Sequence, residues 1–201
     1  MITAQHLEVR AGARLLMDGV SFRVAPGDKV GLVGRNGAGK TTLTKILAGE
    51  AQPASGQVQI AGSVGYLPQD PRTGDPDVLA RERILSARGL GEVVRRLRQA
   101  EADMGSDDAA VREKAMRRYE RADAELHAGG GYAAESEAAQ IASSLGIEDR
   151  ILGQPLRTLS GGQRRRVELA RILFSGAETL LLDEPTNHLD ADSIVWLRGF
   201  L

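Results

Sequence analysis

The chain has 201 residues, enough for one ordinary globular domain with room for an insertion. Its 42% hydrophobic and 26% charged residues suit a folded protein, and a net charge of −1 excludes a global field drawing it to nucleic acid or an anionic membrane. Cysteine is absent, which excludes disulfides, thiolate catalysis and cysteine-bound metals. The N-terminal residues have no apolar core or cleavage-like site, and no run approaches the roughly 18 apolar residues of a membrane helix. A cytoplasmic chain without direct membrane insertion is expected.

In chain order, residues 2–9, 20–24 and 29–33 are short, rich in β-branched side chains and bounded by Gly, Pro and Asp, so each reads as a strand. A glycine-rich turn at 34–39 follows, then a helix over 41–48 ending at Gly49. Residues 58–60 and 64–67 read as two further strands. From Val78 to Leu145 the spacing is helical, with breaks at Gly89, Gly105 and 129–131. Strand character returns at 179–182, an apolar run suited to a strand buried on both faces. The order is therefore an α/β core, a helical insertion, then core again, without internal repeats.

Gly34, Arg35, Asn36, Gly37, Ala38, Gly39, Lys40 and Thr41 match G-x-x-x-x-G-K-[ST] between an expected strand and an expected helix. Glycines let successive N–H groups turn inward around phosphate oxygens, and the helix directs its positive end at the same anion. Lys40 is placed for the β- and γ-phosphates, Thr41 for Mg²⁺, and Thr42 extends the cradle. The 180–184 run, LLLDE, ends a strand in two carboxylates at the sheet edge where open α/β folds bind ligands. Asp183 suits Mg²⁺, and Glu184 suits orienting or deprotonating water. A bare Asp-Glu pair is usually a solvated turn; the phosphate loop upstream reverses that reading. Leu159, Ser160, Gly161, Gly162 and Gln163 open another helix, with Ser160 as its N-cap and free N–H groups behind it.

Taken together, the phosphate loop, Gln69 within the 65–69 run GYLPQ, the 159–163 run LSGGQ and the acid strand occur in the order and spacing of the ATP-binding-cassette (ABC) ATPases, which nearly the whole chain resembles. The resemblance implies an α/β P-loop NTPase fold, an ABC-type ATP-binding domain with an antiparallel strand region and an inserted helical subdomain. It implies that Gln69 senses Mg²⁺ and the water. It also implies that Ser160, Gly161, Gly162 and Gln163 contact ATP held by a second cassette, with Asp190 at their interface. The implied division is 1–76 for the first part of the core, 77–158 for the helical subdomain, and 159–201 for signature helix, acid strand and D-loop.

The finer resemblance is to the ABC-F subfamily, soluble two-cassette proteins acting on ribosomes in translation or antibiotic resistance; it rests on 183–190 (DEPTNHLD), 159–166 (LSGGQRRR) and 65–69. It adds the ribosome and its RNA as a partner. The alternative is the nucleotide-binding subunit of a membrane transporter. His188 does not match the family's switch histidine, which lies about thirty positions past the glutamate, so the chain reads as a first cassette cut before that loop. Relatives often stack an aromatic on adenine, and 10–14 offers none. Residues 88–128 carry nine Arg or Lys and nine Asp or Glu, with Arg95, Arg96 and Arg98 as the one local basic cluster. Such balance more often marks a solvated helix face than an RNA contact.

Overall fold

Alternation of buried and exposed residues starts at Ile2 and Ala4 and resumes out of phase at Leu7 and Val9. The slip falls where His6 takes a positive φ of 49° and the strand register shifts. An irregular residue there keeps both halves of the strand facing one core. This strand, β1 (Ile2–Ala11), pairs antiparallel with β2 (Arg14–Val24) and with β3 (Ser55–Ile60), giving a sheet ordered β2-β1-β3. Helix α1 (Lys40–Leu47) lays Leu43, Ile46 and Leu47, spaced i, i+3, i+4, into the same core as Ile2, Ala4, Leu7 and Val9. A second sheet is a parallel pair, β4 (Val64–Leu67) with β5 (Thr179–Leu182). The computed structural model describes residues 1–69 and 74–201, and these elements lie in a unit comprising Met1–Pro71 and Gly176–Thr186.

Two expectations for this unit are corrected. Residues 29–33 form no ladder with any described strand, and Val30, Leu32 and Val33 are 69%, 47% and 94% exposed. An apolar extended run becomes a strand only when a neighbour takes its backbone groups, and composition cannot supply that neighbour. β5 is half-buried along its length rather than buried on both faces, because β4 is its one ladder partner among the described strands.

The other unit, Arg72–Ser175 with Asn187–Phe200, is helical. It contains α2 (Ala80–Leu85), α3 (Gly91–Met104), α4 (Ala109–Ala128), α5 (Gly131–Ser144), α6 (Asp149–Leu152), α7 (Gly161–Phe174) and α8 (Ala191–Phe200). Its largest fully buried side chains include Phe174, Leu126, Leu145, Leu169, Ile84 and Leu85. The arginines of the expected basic cluster are paired: Arg95 with Glu92 at 2.6 Å, Arg96 with Glu125 at 2.9 Å and Arg98 with Glu82 at 3.7 Å. A second basic row, Lys114, Arg117, Arg118 and Arg121, lies at helical spacing on α4.

Candidate functional site

The parallel pairing of β4 and β5 runs Val64 opposite Thr179 through Leu67 opposite Leu182, and the Asp183 N–H extends it by donating to the Leu67 carbonyl at 3.0 Å. Both strands therefore release their next residues at one edge, which brings Gln69 beside Glu184: the Gln69 amide donates to Glu184 Oε2 at 3.4 Å. Glu184 holds a φ of 48°, rare for a residue with a side chain and worth about 1–3 kcal/mol of strain. Strain of that kind persists where surrounding structure fixes a side chain's aim. Asp183 is buried, and its Oδ2 accepts a 2.7 Å hydrogen bond from the Thr41 hydroxyl, joining positions 142 residues apart.

Thr41 sits in the first turn of α1, whose N-cap is Gly39 at φ 99°. A Cβ there would lie 3.1 Å from Leu16, so the position needs glycine both for backbone and for space. Gly37 also takes a positive φ, 76°. Lys40 folds over the loop, its Nζ donating to the carbonyls of Gly34 at 2.7 Å and Arg35 at 3.1 Å. Arg35 and Ala38 close the turn through an N–H to carbonyl bond of 3.1 Å. A cavity of about 520 Å³ is lined by Asn36, Gly37, Gly39, Lys40, Thr41, Thr42, Gln69, Asp183 and Glu184. Ala11, Arg14 and Leu16 complete its lining. The arrangement offers loop N–H groups and an ammonium for an anion, a hydroxyl and a carboxylate for a hard cation, and a second carboxylate for water.

Sequence reasoning did not single out Ala11, Arg14 or Leu16, noting in that segment only the lack of an aromatic. Leu16 is the extra residue of a β-bulge, between the pairs Val9–Met17 and Arg10–Leu15, and a bulge has no sequence signal here. Tyr66 was also missed as a neighbour. Its hydroxyl is buried with no hydrogen-bond partner among the described residues, and burial with the carboxylates of Glu50 and Asp183 pushes it up to about 12.

The helical unit holds the remaining expected residues. Ser160 caps α7, its hydroxyl accepting from the Gln163 N–H at 3.2 Å while the Gln163 side chain accepts from the Ser160 N–H at 2.9 Å. Ser160 and Gly161 are exposed, and a Cβ on Gly162 would stand 3.4 Å from His188. Asp190 accepts from the Ser193 N–H at 2.8 Å, a bond that holds its carboxyl below the ordinary aspartate range.

Residues 17–187 match the family model described as "ABC transporter". The chain is 38% identical over 194 residues to the tylosin resistance ATP-binding protein TlrC of Streptomyces fradiae, covering 94% of this chain and 35% of that one. It is 37% identical over 192 residues to the energy-dependent translational throttle protein EttA of Escherichia coli K12, covering 94% and 34%. Similarity to the uncharacterized ABC transporter ATP-binding protein YfmR of Bacillus subtilis is 35% over 208 residues, covering 100% and 32%. The chain thus spans about a third of the length of these relatives. Among solved structures, an ATP-binding subunit of an ABC transporter matches with a TM-score of 0.69 at 20% identity, covering 100% of this chain and 72% of that one. A dimeric ATP-binding cassette holding ADP and Pi matches at 0.65 and 18%, covering 100% and 81%. At these identities the two structures show the shared fold, an ABC ATPase cassette of the P-loop NTPase class.

Proposed function

The chain belongs to the ABC transporter family of ATP-binding domains, and from that premise we propose that it binds Mg-ATP around Lys40 and hydrolyses it to drive closure and opening of paired cassettes. The observation that carries this reading is the Thr41–Asp183 bond inside the cavity that Lys40 and Glu184 also line. The hydroxyl and carboxylate are the hard oxygen donors Mg²⁺ takes from protein when phosphates and water supply the rest. Bound there, Mg²⁺ would neutralise charge on the phosphate oxygens. Loop N–H groups from Gly34 to Thr42 and the Lys40 ammonium hold the triphosphate; Gln69 and Glu184 hold the attacking water, with Glu184 accepting its proton. Ser160, Gly161, Gly162 and Gln163 face the γ-phosphate bound by a second cassette, and Asp190 lies at that interface. In this reading, 1–76 is the first part of the core, 77–158 the helical subdomain, and 159–201 the signature helix, acid strand and D-loop.

The parent protein, in the finer reading, is a cytoplasmic ABC-F factor whose second cassette and ribosome are its partners. Support comes from the names of EttA, a translational throttle, and TlrC, a resistance protein, and from the 183–190 run. In the full-length protein, Glu184→Gln with its counterpart in the second cassette should cut hydrolysis by about 10²–10⁴-fold while ATP binding survives. That variant should co-sediment with ribosomes in ATP and not in ADP. Partition to a transmembrane subunit instead would favour the transporter reading, and hydrolysis at the parental rate would remove Glu184 from the chemistry.

A further inference from the structure

Resting on the ATP-binding reading above, we propose that Arg14 is the base-stacking residue of this site, its guanidinium covering one face of the purine while Leu16 supplies the apolar wall beside the phosphate loop. The cavity has two chemically distinct walls. One is the anion- and cation-binding set around Lys40, Thr41 and Asp183; the other is the hairpin of β1 and β2, which contributes Ala11, Arg14 and Leu16. The triphosphate belongs to the first wall, so the uncharged heterocycle is left for the second.

The hairpin is shaped for that task. Ala11 and Arg14 are cross-strand partners closing a two-residue turn through Gly12 at φ 58°, so they share one face of the ribbon. The bulge at Leu16 re-aims that side chain onto the loop, close enough that any Cβ at Gly39 would meet it at 3.1 Å. No aromatic ring lines the cavity among the described residues, and the guanidinium of Arg14 is the one planar cationic group in its lining. Arg10, the neighbouring candidate, is engaged, bonded to Glu8 and directed at the Ala13 carbonyl. The Arg14 side chain is exposed and makes no hydrogen bond or ion pair among the described residues, so stacking costs it no partner. A guanidinium plane stacks on π-faces where an ammonium cannot reproduce the overlap. Being a face contact, it reads no hydrogen-bonding edge, so adenine and guanine are bound alike.

The test is calorimetric titration of the chain with MgATP, MgGTP and magnesium tripolyphosphate. Arg14→Ala should weaken ATP and GTP by about three- to tenfold and leave tripolyphosphate unchanged. Arg14→Tyr should restore nucleotide affinity, and Arg14→Lys should leave most of the loss in place. Equal weakening of tripolyphosphate would reassign Arg14 to the phosphates and overturn the proposal, as would unchanged ATP affinity in Arg14→Ala. If the parent chain binds neither ATP nor tripolyphosphate, the nucleotide reading itself fails, a result distinct from either.

Discussion

The Lys40 ammonium is held by two carbonyls of its own loop, so it lies against the glycine-rich turn. Charge-assisted bonds contribute about 1.5–3 kcal/mol each. Lys40→Ala should therefore lower MgATP affinity about a hundredfold or more, beyond calorimetric detection; equal titration curves for variant and parent would contradict this. Tyr66 makes the opposite kind of prediction. Its buried hydroxyl lacks a hydrogen bond among the described residues, with the Asp183 and Glu50 carboxylates acting on it. Removing an unsatisfied polar atom while keeping the ring is neutral or favourable. Tyr66→Phe should leave unfolding free energy unchanged or raise it by about 1 kcal/mol in urea titration, and a loss above that size would reveal an essential partner.

At the scale of elements, helix α7 is fastened at two points within its unit. Its start is closed by the Ser160–Gln163 capping box. Its middle is tied to α2 by Glu168, buried and shared between Arg83, at 2.5 and 3.1 Å, and Arg171 at 2.8 Å. Removing one member of a buried ion pair leaves charge without its counterion and costs about 3–5 kcal/mol, whereas replacing the pair with apolar groups is often neutral. Glu168→Ala should thus cost about 3 kcal/mol by chemical denaturation. The double variant Arg83→Met with Glu168→Leu should recover most of it, and additive losses in the double variant would refute a coupled pair. Exposed pairs such as Arg117–Glu113, by contrast, should each contribute under about 1 kcal/mol.

For the molecule as a whole, each compact unit has its own apolar core, and Ser160 and Gly162 reside in one unit while Lys40 and Thr41 reside in the other. Under the proposed reading, in which a second cassette completes the site, turnover depends on association. ATPase activity per mole of the 201-residue chain should rise with its concentration, and monodisperse monomer should turn over far below about 1 s⁻¹. A rate near that value, independent of concentration, would show that one cassette suffices. Helix-rich character between Val78 and Leu145 was legible because an amphipathic period of 3.6 is a local property, and α2 to α5 occupy that stretch. The pairing of Arg96 with Glu125 and of Arg98 with Glu82 was not, since each depends on which helix packs alongside.

The residues alone were enough to read three local features: the glycine-rich turn before Lys40 and Thr41, the strand that ends at Asp183 and Glu184, and the Ser160 cap. Loop conformation, capping and strand propensity are set within a few residues, so spacing is enough to write them. Tertiary structure alone decided that residues 29–33 find no ladder partner among the described strands, that a bulge turns Leu16 onto Gly39, and that Thr41 bonds Asp183 across 142 positions. Those outcomes depend on strand pairing and register, which are long-range choices made by buried area and backbone hydrogen bonds rather than by any local run of residues.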